Sequence, residues 1–191
     1  MLITTERLVL RRFRLEDAGA LAAYRSDPAV ARYQSWNSPY SLDKARYAVQ
    51  TMVAADPGQP GWFQYAVELA DENTLVGDVG VNLADNLRQA EIGYTLAPRW
   101  QGHGYATEAV RAVLDQLFRV RGLHKVSAEC DARNAASARL LERVGFTREG
   151  HLRQHTWIKN EWTDDLLYGL LSEEWFSTGG EEQGRGGRRR G

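Results

Sequence analysis

The chain is poor in the residues that commit a protein to special chemistry or to a special compartment. It has a single cysteine, Cys130, in 191 residues, so neither an internal disulfide framework nor a CxxC metal or redox pair is available. No apolar run approaches the ~20 residues needed to cross a bilayer, and the opening Met-Leu-Ile-Thr-Thr-Glu-Arg lacks the basic-then-apolar pattern of a secretory leader. An excess of one charge is missing too. Lys and Arg number 24 against 25 Asp and Glu, a net −1, so no overall field draws the chain to nucleic acid or to a membrane. These absences predict a soluble cytoplasmic protein with neither as a partner.

Proline is scarce, five in all, and two of them fall in Asp56-Pro-Gly-Gln-Pro-Gly61, a cluster of breakers that marks a loop. A hydrophobic content of 43% in 191 residues is enough for one core and short for two. One domain is therefore expected over residues 1–176. Strands are predicted at Thr5–Phe13, Trp62–Leu69, Thr74–Leu83, Ala90–Leu96, Lys125–Cys130, Thr147–Ile158 and Asp164–Leu171, the last two joined by the turn Lys159-Asn160-Glu161. Helices are predicted at Glu16–Arg25, stopped by Asp27-Pro28, and from the N-cap Ser41 to about Ala55. Two more should follow Gly104 and span Ala135–Val144, the latter closed by Gly145. From Ser177 to Gly191 (STGGEEQGRGGRRRG) no apolar residue anchors the chain, which reads as a flexible Gly/Arg-rich tail.

The stretch from Glu91 to Phe146 carries the functional signal. Gln101-Gly102-His103-Gly104-Tyr105-Ala106 follows a strand and opens a helix whose apolar face runs through Ala109, Val110, Val113, Leu114, Leu117 and Phe118. Glycines let the backbone approach a ligand, and unpaired N–H groups with the positive helix end make a seat for a phosphate or pyrophosphate. A P-loop would need Gly-Lys-Ser/Thr, where Tyr105-Ala106-Thr107 stands. A dinucleotide fingerprint would sit near the start of its βαβ unit, whereas this turn is mid-chain.

Gln101-Gly-His-Gly-Tyr-Ala106 resembles the Gln/Arg-x-x-Gly-x-Gly/Ala motif of the GNAT superfamily of N-acetyltransferases. Asn134-Ala-Ala-Ser137 followed by Gly145-Phe146 resembles the Asn-x-x-Ser…Gly-Phe motif of its RimJ/RimL-like branch, and the likeness runs from Thr5 to about Trp175. It implies an α/β fold of about seven strands in a mixed, strongly twisted sheet with about four helices, its fourth and fifth strands splayed. It implies acetyl-CoA as donor. The acceptor would be a primary amine, on a peptide N-terminus or a small molecule, and a homodimer is common among relatives. The donor's pyrophosphate would meet Gln101, Gly102, His103, Gly104, Tyr105, Ala106 and Thr107. Its pantetheine would run along Thr95, Leu96 and Ala97 towards Asn134 and Ser137. Glu91 is the first candidate for the base, Glu68 the second and Asp78 the third. Many relatives carry a tyrosine near the CoA sulfur at the position of Leu141; here Ser137 is left to attend the thiolate. Ser137 also reads as a helix-terminal hydroxyl bonding backbone, and Glu91 as a solvent-facing strand residue.

Other residues are ambiguous. Trp36, Trp157 and Trp162 line an acceptor cleft or serve as edge aromatics. Cys130, on a buried strand, reads as inert packing. His151 and His155, four apart on a predicted strand and without evident acid partners, are not read as metal ligands. A catalytically silent acyl-CoA-binding module remains a competing reading, and an RNA-associated role for the tail a remoter one.

Overall fold

A computed structural model describes residues 2–179. Eight strands form one sheet in the order β1-β2-β3-β4-β5-β6-β8-β7. They are β1 (Ile3–Thr4), β2 (Leu8–Arg12), β3 (Gly61–Leu69), β4 (Leu75–Leu83), β5 (Gln89–Leu96), β6 (Lys125–Asp131), β7 (Thr147–Ile158) and β8 (Glu161–Leu171). The helices are α1 (Ala18–Arg25), α2 (Pro28–Ala31), α3 (Leu42–Ala54), α4 (Tyr105–Asp115), α5 (Ala135–Val144) and α6 (Ser172–Gly179). Neighbouring strands are antiparallel except β5 and β6, whose parallel pairing requires the crossover that α4 supplies.

The differences from the sequence reading have local causes. The first expected strand starts only at Leu8 and gains a partner, Ile3–Thr4, that was not expected: the Thr5 N–H donates to the Leu8 carbonyl (2.9 Å) and its hydroxyl accepts from the Leu8 N–H (2.9 Å), making a short β1–β2 hairpin. Asp27-Pro28 ends α1 but also starts α2. The Asp27 carboxylate accepts from Ala29 N–H at 2.8 Å, and proline at the first helical position loses no bond it would have made. Lys159 and Asn160 both have positive φ (51° and 64°), so they form a two-residue turn of the kind that matches strand twist; β8 therefore starts at Glu161. At the C-terminus the chain stays helical to Gly179 rather than loosening at Ser177. Trp175 anchors α6: it is buried, stacks on Phe118 and donates from its indole N–H to Asp115 at 2.9 Å. The rest of the expected tail lies outside the described residues.

Each face of the sheet has its own core. One holds Val79, Val81, Ile92, Val126 and the inner sides of α4 and α5. The other is smaller and packs Leu21 and Tyr24 of α1 and Ala45 and Val49 of α3 on Ala66 of β3. Strand alternation decides which face each β5 side chain reaches. Glu91, Gly93 and Thr95 pair with Asn82, Gly80 and Asp78 of β4 on the α1/α3 face, while Ile92 and Tyr94 turn to the α4/α5 face.

Candidate active site

The sheet parts between β5 and β6. Their ladder runs from Gln89↔Lys125 to Ile92↔Ala128 and stops there, so Gly93–Leu96 has β4 on one side and no strand on the other. A right-handed sheet twist, with β6 held by β8 as far as Asp131↔Asp165, carries the two strand ends apart. A cleft of about 560 Å³ opens at this place.

On the α1/α3 face the cleft is lined by Glu91, Thr95, Glu129, Asp131 and Asp165, with Asp78 at its floor and Trp36 and Trp62 among its walls. Glu91 and Glu129 have no hydrogen-bond or ion-pair partner among the described residues. Burial pushes the Glu129 carboxyl up, and the neighbouring charges of Asp165 and Glu91 add to this. Asp131 is held by Arg133 (2.7 Å). Asp165 accepts from the Thr156 hydroxyl at 2.6 Å and meets His155 Nδ1 at 3.0 Å. His151 likewise meets Asp164, at 2.9 Å. Both histidines thus have acid partners, contrary to the sequence reading, because β8 lies beside β7 and a bulge between Leu152 and Thr156 re-aims the strand. Glu129, His155 and Asp165 bring their ligand atoms within 4.8 Å of one another.

The alternative bases are placed differently. Glu68 is 4% exposed and accepts from Arg11 Nε at 2.6 Å. The same guanidinium grips Asp17 with two bonds of 2.8 and 2.9 Å, so Glu68 is a buried structural acid that does not line the cleft. Asp78 reaches the cleft, but it accepts the Tyr24 hydroxyl proton and lies 3.8 Å from Arg25; burial pushes its carboxyl up. Arg25 in turn stacks over Trp36, 4.3 Å from the ring centroid, and the Trp36 indole donates to the Arg25 carbonyl at 3.1 Å. Trp157 and Trp162 are outside this wall, on the exposed hairpin with rings 5.3 Å apart.

On the other face lies the glycine turn. Gly102 and Gly104 have φ of +80° and +83°, and a Cβ on Gly102 would meet nothing within 4 Å. No side chain caps the N-terminus of α4, leaving first-turn N–H groups of Tyr105, Ala106 and Thr107 for a ligand. Arg7, which sequence reasoning did not single out, reaches this turn from the β1–β2 hairpin. It donates to the His103 carbonyl (3.1 Å) and to Glu108 (2.7 Å), and lies over the Tyr105 ring. The His103 ring stacks on Tyr105, its Nδ1 2.8 Å from the Gln101 carbonyl. Gln101 spends its side-chain amide on the Leu96 carbonyl at 2.9 Å, so it ties the turn to β5.

Asn134 caps α5, its carbonyl oxygen accepting from Ser137 N–H at 3.1 Å. The Ser137 hydroxyl meets the Tyr94 hydroxyl at 2.7 Å. Tyr94 and Cys130 belong to the α4/α5 face by alternation, yet both line the same cleft as Glu91. The cavity therefore reaches into the gap where β5 and β6 separate.

A family model described as an acetyltransferase (GNAT) domain matches residues 7–147. The chain is a GNAT acetyltransferase. The crystal structure of a GNAT-family acetyltransferase from Bacillus anthracis superposes on this acetyltransferase with a TM-score of 0.83 at 32% identity, covering 91% of this chain and 99% of that one. The [ribosomal protein uS5]-alanine N-acetyltransferase of Escherichia coli (strain K12) is 26% identical to this GNAT chain, over 91% of it and 92% of the relative. Spermidine N-acetyltransferase from Vibrio cholerae, solved in complex with CoA and spermine, is 25% identical with a TM-score of 0.77, covering 90% and 99%. The expected family, its RimJ/RimL-like kinship and the mixed α/β fold with a splayed fourth and fifth strand (β5 and β6) all hold, with eight strands and six helices in place of seven and four. Among the described residues of this acetyltransferase no helix is long and apolar enough to cross a membrane.

Proposed function

We propose that this acetyltransferase moves an acetyl group directly from acetyl-CoA to a primary amine, with donor and acceptor meeting inside the sheet. The observation that carries the reading is the cavity at the β5–β6 gap, lined by Glu91 and by Tyr94, whose hydroxyl meets that of Ser137 at 2.7 Å. The uncapped N-terminus of α4, the open turn at Gly102 and Gly104, and the guanidinium of Arg7 suit a pyrophosphate. The edge of Gly93–Leu96 without a strand neighbour suits pantetheine amides pairing as an added strand, with Thr95, Leu96 and Ala97 beside them and Asn134 at the far end. Acetyl-CoA supplies the activated acetyl thioester. Trp36 walls the acceptor's side.

Glu91 takes the proton that the incoming ammonium must lose, through water. A carboxylate without a protein partner, in a cleft, is free for that task. Ser137 donates a hydrogen bond to the departing thiolate. An acceptor arriving as a cation suits a wall of Glu91, Glu129 and Asp165, beside Asp131 that Arg133 offsets and one arginine, Arg25, that Asp78 offsets. A protein N-terminal α-amine and a small-molecule amine both satisfy that chemistry. The test is a CoA-release assay with acetyl-CoA against alanine-initiated peptides and against small mono- and polyamines. Amine-dependent release is expected, and Glu91→Gln should slow it about 10²-fold or more with acetyl-CoA affinity unchanged. Wild type that binds acetyl-CoA but consumes none with any amine would make this a silent acyl-CoA-binding module. Full activity in Glu91→Gln would remove Glu91 from the mechanism.

A further inference from the structure

The reading above leaves Ser137 with a task that a lone serine performs badly. A hydroxyl on a flexible rotor has three staggered positions, and it must hold the one that aims its proton at a leaving thiolate. Leu141, one turn further along α5, is fully buried and offers no polar group. The group that does reach Ser137 comes from a different element. Tyr94 lies on the part of β5 beyond the last β6 pair, and its phenol oxygen is 2.7 Å from Ser137 Oγ and 3.2 Å from the Ser137 carbonyl. The titratable groups facing that phenol are Cys130 of β6 and Tyr168 of β8, and burial raises the phenol's own pKa, so it keeps its proton.

We propose that Tyr94 is a positioning residue for the leaving group: its phenol donates to Ser137 Oγ, which fixes the serine rotor and leaves the serine proton as the donor to the CoA thiolate. The inference rests on the assignment of Ser137 to the thiolate. A phenol is the better donor of the two hydroxyls, so the chain runs Tyr94 O–H to Ser137 O–H to sulfur. Each bond in such a chain polarises the next. No bond to carbon or sulfur is made by Tyr94 and no proton leaves it.

The effect is readable without knowing the acceptor. CoA is the thiol product and desulfo-CoA is the same molecule without its sulfur, so the two differ only at the group in question. We expect the thiol of CoA bound to the full-length protein to titrate, by thiolate absorbance between pH 7 and 9.5, about one unit lower in wild type than in Tyr94→Phe, tenfold in thiolate affinity. Burial pushes the Cys130 thiol up to about 11, so it stays protonated in that range; the neighbouring acids Asp131, Asp165 and Glu129 push it the same way. Desulfo-CoA should bind both proteins equally. Ser137→Ala should shift the thiol at least as far, and adding Tyr94→Phe to it should change nothing more. A Tyr94→Phe protein that titrates like wild type while Ser137→Ala shifts would overturn the inference. So would a variant that loses CoA and desulfo-CoA alike, which marks mere packing. If Ser137→Ala leaves the thiol unmoved, the Ser137 assignment itself fails; if neither ligand binds wild type, the donor site does.

Discussion

Gly104 separates two effects of one substitution that act in opposite directions. It is the N-cap of α4, with φ of +83°, and an added Cβ would meet only the end of Arg7, at 3.4 Å. Gly104→Ala therefore tests backbone strain alone, about 1–2 kcal/mol for an L residue in the left-handed region. For a domain of this size that is a Tm lower by roughly 2–8 °C. Gly104→Glu has the same strain but places a carboxylate beside uncapped N–H groups and the Arg7 guanidinium, recovering about 0.3–1 kcal/mol. In the free protein the glutamate variant should thus melt above the alanine variant. With acetyl-CoA the order reverses. Like charges about 4 Å apart repel by about 4 kcal/mol at an effective dielectric of ~20, which weakens binding by about 10³. Thermal melts without ligand and calorimetric titration with acetyl-CoA read the two quantities separately. Alanine should bind within about tenfold of wild type, since strain is common to free and bound states, and glutamate should show no saturation. A glutamate variant that binds acetyl-CoA as well as the alanine variant would show that no phosphate sits at this turn. One that melts below the alanine variant would show that the helix terminus is not the exposed positive site described above.

Two further outcomes concern stability. Arg11→Met leaves Glu68 and Asp17 buried without their shared cation, and should cost about 3–5 kcal/mol in urea unfolding at neutral pH; a loss below about 1 kcal/mol would mean the two acids find other partners or protonate freely. Burial alone would push the Glu108 carboxyl up, but bonds from the Thr5 hydroxyl and from Arg7 outweigh it and hold the group below its ordinary value. Its contribution is therefore present above the unfolded-state value of ~4.3 and lost as the pH falls through the lowered folded-state value. The stability gap between wild type and Glu108→Gln should be constant near pH 7 and close below about pH 4, and a gap independent of pH in thermal melts would refute the assignment.

Most of the fold was legible because strong local signals coincide with element ends. Ser41 caps α3, Asn134 and Gly145 bound α5, and apolar runs between turn residues mark β3 to β8. What escaped was set by contacts between distant segments. No local pattern announces that Trp175 will find Phe118 and Asp115, so α6 was not expected and its last residues, from Ser177, read as the start of a tail. The glycine turn proposed to seat the donor was readable as a motif, but Arg7 reaches it across some hundred residues of chain. Nothing in the sequence sets Tyr94 apart from the rest of the strand Ala90–Leu96; its hydroxyl matters only because α5 places Ser137 beside it. Glu68 and Glu91 are alike in sequence, both acids on strands, and only the position of Arg11 tells the structural one from the free one.

The gap between β5 and β6 also bears on traffic through the enzyme. If, as proposed, the donor enters beside α4 and the acceptor beneath α1 and the β7–β8 hairpin, neither substrate would queue behind the other. Spent CoA could then leave and fresh acetyl-CoA arrive while an acceptor stays docked. For an acceptor with more than one amine, a single encounter would suffice for more than one transfer.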